Sequence, residues 1–144
     1  MKNPKPTAGD LYVIPGGDRF AIGKIIYVSQ YFKNVILVRL FSTTCNAIEE
    51  SELPSPLSES SLIYTGTGAI KSGGWRHFGK QELLSFETEM TKRIIGGDIW
   101  LGDTCLGPAS NEDLSQFNQM RVKGFLLVAK AVSKLHSKIT ASAP

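Results

Sequence analysis

Between Gly9 and Phe41 the apolar residues fall into three runs, broken at Pro15, Gly16, Gly17 and Asp18 and again at Lys33 and Asn34. Proline fixes φ, and Gly or Asp tolerates φ > 0, so the first break reads as a tight turn. The second break marks another. In the middle run Phe20, Ile22, Ile26 and Val28 alternate with Ala21, Gly23, Ile25 and Tyr27, the period of a pleated strand. The third run, Val35 to Phe41, is apolar on both faces apart from Arg39, which predicts a central strand. The opening is a β-meander, and nothing in it looks catalytic.

Downstream the pattern loosens. Residues 46–61 are rich in Glu, Ser and Pro and too polar to order themselves by burial, so they read as an exposed acidic loop. Leu62 to Thr65 predicts a short strand, Trp75 to Phe78 a further one, and Gln81 to Met90 a short helix. Arg93 to Leu101 and Thr104 to Leu106 predict a hairpin with Gly102 and Asp103 at its tip and a bulge at Gly96 and Gly97. Beyond Ser110, an N-cap with Asp113 three residues on, Leu114, Phe117, Phe125, Val128, Val132 and Leu135 recur at helical spacings. They predict one amphipathic helix over 111–137, laid across the sheet as a second layer. The fold class expected is α+β: a twisted, mostly antiparallel sheet, open or partly closed into a barrel, packed by one long C-terminal helix. Its 144 residues read as a single domain with a flexible N-terminus over 1–8.

Charge adds one feature. The net charge of +3 is too mild to argue nucleic-acid binding, but the charges are segregated. No Lys or Arg lies between Phe41 and Ala69, where Glu49, Glu50, Glu52 and Glu59 fall; no acid follows Asp113, while Arg121, Lys123, Lys130, Lys134 and Lys138 do. The chain therefore carries an acidic loop and a basic tail. The first ten residues lack the apolar core of a secretory signal, and no apolar run reaches the ~20 residues of a membrane span. Cytoplasmic residence is the default expectation. Cys45 and Cys105 have no metal-type spacing and read as buried thiols.

Candidate chemistry is thin. The run from Thr65 to Gly74 has glycines and a Lys-Ser pair, yet Ile70 stands where a phosphate loop needs Gly. His77 lacks a second metal ligand at any regular spacing. An enzyme centred on it would need a pocket bringing a carboxylate or hydroxyl within hydrogen-bond reach. Asp98 and Asp103 read as turn carboxylates. Tyr31 and Phe32 stand at a predicted hairpin tip, where two adjacent aromatics do not both turn inward, so one is expected exposed as a contact residue. The lysines of the final helix read as a solvated face, with a small β-rich nucleic-acid-binding domain as the alternative.

The stretches GDLYVIP, GGDRFAIGKIIYV, GGWRHFGK and IIGGDIWLGD resemble the immunity protein 26 family of bacterial polymorphic toxin systems. Gly9, Asp10, Pro15, Gly17, Gly23, Trp75 and Gly79 carry the likeness, which spans about Gly9 to Gly107. The resemblance implies a protein that binds and neutralises a cognate toxin by direct contact, with no cofactor, no metal and no catalytic residue. Toxins of such systems include nucleases with basic grooves. Tyr31 and Phe32, and Glu49, Glu50, Glu52 and Glu59 as phosphate mimics, are then the expected partner-binding residues.

Overall fold

The computed structural model describes residues 5–32, 34–45, 53–55, 57–117 and 119–142. Strands β1 (Asp10–Gly16), β2 (Arg19–Val28), β3 (Val35–Cys45) and β4 (Ser60–Gly66) form an antiparallel meander. The turn at Gly17 has φ 62° and the β2–β3 turn places Asn34 at φ 64°, left-handed conformations suited to these residues. A short helix, α1 (Gly68–Ser72), carries the chain to β5 (Arg76–Lys80), which pairs antiparallel with β1 at the far edge. Helix α2 (Ser85–Glu89) follows. Strands β6 (Lys92–Ile95), β7 (Asp98–Leu101) and β8 (Thr104–Pro108) make a separate three-stranded sheet, and α3 (Asn111–Gln116), β9 (Val122–Lys123) and α4 (Phe125–Ser142) complete the chain.

The main sheet has the order β5-β1-β2-β3-β4-β9, with β3 interior as its two-sided apolar pattern requires. Edges β5 and β9 do not meet, so the sheet is open and the barrel closure entertained from the sequence is not formed. One face is aliphatic: Ile14, Ala21, Ile25, Ile36, Val38, Leu40 and Ile63 pack under Val128 and Val132 of α4. The helix comes closest at Gly16, where an added Cβ would lie 2.4 Å from the Ala129 carbonyl oxygen. Gly23 likewise serves packing, since its Cβ would meet Ile14 Cδ1 at 2.5 Å.

The single helix expected over 111–137 is two helices. Ser110 and Asp113 do form the reciprocal cap (Asp113 N–H to Ser110 Oγ 3.1 Å, Ser110 N–H to Asp113 Oδ2 3.0 Å), but on the six-residue α3. The chain then leaves helical geometry. Met120 N–H bonds to the Ile94 carbonyl at 2.8 Å, and Val122 and Lys123 pair in parallel with Tyr64 and Thr65. Backbone partners on two neighbouring strands replace the helical ones, and Gly124, a poor helix former, precedes the restart. Leu114 is consequently exposed rather than core.

Smaller expectations also change. Gly96 and Gly97 (φ 57° and 87°) are the β6–β7 turn and not a bulge, so the predicted hairpin is a three-stranded meander. Strand β4 begins at Ser60, inside the segment read as loop. Residues 46–52 of that segment lie outside the described residues. Cys105 is exposed, not buried.

Candidate partner-binding surface

The second face of the sheet combines a small apolar cluster, Leu11, Val13, Ile22 and Phe41 with Phe20 and Phe78 against it, with buried charge. Lys24 and Arg39 are cross-strand partners on β2 and β3, and both are buried, at 0% and 3% exposure. Between them sits Glu87 of α2, also 0% exposed, with Oε1 2.7 Å from Lys24 Nζ and Oε2 2.8 Å from Arg39 Nη1. The other donor nitrogens are engaged as well. Lys24 Nζ donates to Gln81 Oε1 and the Glu82 carbonyl, and Arg39 donates to Ser60 Oγ and the Ser58 carbonyl. Glu87 Oε1 also accepts the Leu84 amide at 3.0 Å. Burial alone would raise the Glu87 carboxyl, but the bonds from Lys24, Leu84 and Arg39 outweigh it and hold the group below its ordinary value. This knot straps residues 81–91 onto the sheet.

Further along the same face, Arg93 docks the small sheet. Its Nη1 donates to the carbonyls of Thr91 (2.9 Å) and Gly102 (2.6 Å). Its guanidinium carbon lies 5.4 Å from the ring centres of Tyr27 and Tyr64 and 5.9 Å from that of Phe32, within cation–π range. Burial pushes the Tyr64 hydroxyl up to about 12, so it stays protonated beside this cation.

The β7–β8 turn then reaches the β2–β3 hairpin. Asp103 accepts from the Tyr27 hydroxyl, from Ser29 Oγ at 2.6 Å and from the Gln30 amide at 2.7 Å. Burial raises this carboxyl, but the hydrogen bonds from Ser29, Tyr27 and the hairpin amides win and hold it low. Ser29 Oγ in turn accepts the Phe32 amide at 2.7 Å. Asp103 is thus a long-range clamp rather than the turn carboxylate expected.

At the clamped tip Tyr31 is the exposed aromatic, at 65%, while Phe32 is half-buried. Tyr31 is packed edge-on to Phe32 (4.8 Å between ring centres), and Trp100 of β7 lies 5.1 Å from Tyr31 and 5.4 Å from Phe32. Trp100 was not among the sequence candidates. The signal for it was indirect: an aromatic between two aspartates beside a turn.

Of the acidic candidates, Glu59 is exposed, whereas Glu49, Glu50 and Glu52 lie outside the described residues. Glu59 precedes Ser60, which pairs with Phe41, while the aromatic tip precedes Val35, which pairs with Gly66. Glu59 and the aromatic tip therefore stand at opposite ends of β3 and β4, about 20 Å apart along the strand.

Two concavities flank these features. A cleft of about 570 Å³ between the sheets is lined by Leu62, Met90, Lys92, Phe117, Arg121 and Lys123 among others. A pocket of about 440 Å³ holds Lys5, Thr7, Asp10, Tyr12, Ile70, Trp75 and His77. Here the condition set for an enzyme centred on His77 is met in part, because Asp10 Oδ1 lies 3.3 Å from His77 Nε2. Among the described residues no group of three or more His, Cys, Asp or Glu is placed to hold a metal, and no helix is long and apolar enough to cross a membrane. Comparison with protein-family models, with curated proteins and with solved structures finds no match to this chain.

Proposed function

We propose that this protein is an immunity protein that neutralises a cognate bacterial toxin by direct protein–protein contact, without cofactor or turnover, and that the Tyr31 tip is its principal contact. The observation that carries this reading is an exposed aromatic held rigid. Tyr31 rests on Phe32 and Trp100, and the hairpin beneath it is tied by Asp103 to the β7–β8 turn. A large side chain fixed before binding loses little rotamer entropy on contact, which is the usual make-up of an interface hot spot. Glu59, together with the acidic sequence candidates Glu49, Glu50 and Glu52, steers the approach of a basic partner such as a nuclease groove.

Co-expression with the product of the gene immediately upstream tests the reading. Growth rescue and a stoichiometric complex are expected. Tyr31→Ala is expected to weaken that complex by at least about thirtyfold, the scale of a hot-spot truncation. Absence of both toxicity and complex formation would remove the proposal.

A second reading, nucleic-acid binding, is favoured by one arrangement. Lys92, Arg121 and Lys123 line the inter-sheet cleft, and Lys130 and Lys134 continue as exposed positions on α4. Its signature is affinity for RNA or DNA that falls steeply with salt and is indifferent to Tyr31→Ala.

A further inference from the structure

The pocket at the β1–β5 edge is built differently from the partner surface, and its construction follows from a register shift. Pairing of β1 with β5 runs Leu11 to Gly79 and then Tyr12 to His77, so Phe78 is the extra residue of a bulge. A bulge re-aims the side chain beside it. Here it brings His77 to the carboxylate of Asp10, two residues from Tyr12 and therefore on the same face of β1.

Both oxygens of the Asp10 carboxylate have partners. Oδ2 accepts the Thr7 amide at 2.8 Å and the Thr7 hydroxyl at 3.1 Å, and Oδ1 faces His77 Nε2. Asp10 is mostly buried, with 12% of its side chain exposed, while His77 is 56% exposed. Asp10 Oδ1 accepts from the Nε2 hydrogen, so Nδ1 donates to an anion when the ring carries hydrogen on both nitrogens. Lys5 stands in the pocket lining, and Lys80 Nζ donates to Thr7 Oγ1 at 3.1 Å.

The walls are aromatic and aliphatic. Tyr12 and Trp75 meet at 6.1 Å between ring centres with a 56° tilt, His77 lies edge-on to Tyr12 at 5.4 Å, and Ile70 of α1 completes the lining. Apolar walls with a few convergent polar groups, in a volume of about 440 Å³, are the make-up of a small-molecule site. We propose that this pocket binds a small planar aromatic anion, its ring against Tyr12, Ile70 and Trp75 and its carboxylate or phosphate on His77 and Lys5. An organic cation fits less well, because the negative charge of Asp10 is already shared with Thr7 and His77 and lysines stand at Lys5 and Lys80. The site is independent of the toxin-binding reading and lies on different residues.

Calorimetric titration of the purified full chain, read in parallel by tryptophan fluorescence, tests it. The probes are 1-naphthoate, 1-naphthyl phosphate, uncharged 1-naphthalenemethanol and the cation benzyltrimethylammonium. At least one of the two anions is expected to bind at least about tenfold more tightly than the alcohol, the scale of one charge-assisted hydrogen bond. The preference between naphthoate and naphthyl phosphate identifies the acidic group. Lys5→Ala and His77→Ala, both at exposed positions, are each expected to cost about tenfold toward the anion and to leave the alcohol unchanged. Equal binding of anion and alcohol, preference for the cation, no binding at millimolar probe, or anion affinity indifferent to His77→Ala in a variant with unchanged thermal unfolding would each overturn the proposal.

Discussion

The two faces of the six-stranded sheet are closed by different physics. On one, Val128 and Val132 of α4 press onto Ile14, Ile25, Val38 and neighbouring aliphatics, a contact that gains from every apolar group removed from water. On the other, beside the small apolar cluster of Leu11, Val13, Ile22 and Phe41, residues 81–91 and the small sheet are fastened by Lys24, Arg39 and Glu87 and by Arg93 among aromatic rings. The aliphatic face tolerates change in proportion to the volume changed. The charged face fails when one partner goes, because the ions left behind lie in low dielectric without a counter-charge.

The contrast is sharpest at Glu87. Replacing it by Ala leaves Lys24 and Arg39 buried without their carboxylate and is expected to destabilise by about 3–5 kcal/mol, measured by denaturant unfolding. The same residue sets a pH dependence. Because its folded pKa lies below the unfolded one, its stabilisation is complete above the ordinary carboxylate range and is lost as pH falls through the lowered value. Thermal melts between about pH 6 and pH 3 should show that slope in the wild type and a shallower one in Glu87→Gln. On the aliphatic face, Gly16→Ala forces a methyl against the Ala129 carbonyl and the Val132 side chain. An overpacking loss of about 1–3 kcal/mol is expected, read by denaturant unfolding. The smallest effect is expected from the combined change Lys24→Met, Arg39→Met and Glu87→Leu. Removing all three charges together should leave stability within about 1–2 kcal/mol of wild type. A loss as large as that of Glu87→Ala would mean that the ions stabilise the face in their own right.

The same division governs what the sequence disclosed. The meander, the interior place of β3 and the cap at Ser110 were legible because they rest on local signals: period-two apolar runs, glycine turns, a serine before acids. The charged face was not. Lys24 and Arg39 each interrupt an apolar strand, which marks them as unusual, but their partner Glu87 lies 63 and 48 residues further along the chain. No local pattern ties Ser85–Glu89 to a position over β2 and β3. The broken C-terminal helix was hidden for a related reason. Helical spacing was read across Phe117 to Gly124, where pairing with β4 and β6 supplies better backbone partners than a helix would. The exposed aromatic at the hairpin tip was legible, whereas Trp100 and Asp103, which hold it, come from a sheet that sequence periodicity alone did not separate from its neighbours.

The parallel stub β9 carries a consequence for biosynthesis. Strands β1 to β4 are adjacent in the chain and complete once Gly66 has left the ribosome, and β5 covers the β1 edge by Lys80. The outer edge of β4 gains its partner only when Val122 and Lys123 emerge, with Thr65 and Lys123 separated by 58 residues. At ordinary synthesis rates this amounts to roughly 3–12 s. Throughout that interval the edge of β4 at Tyr64 and Thr65 is open to pairing with a neighbouring nascent chain. The yield of native protein is therefore expected to depend on translation speed and chain crowding as well as on the stability of the finished fold.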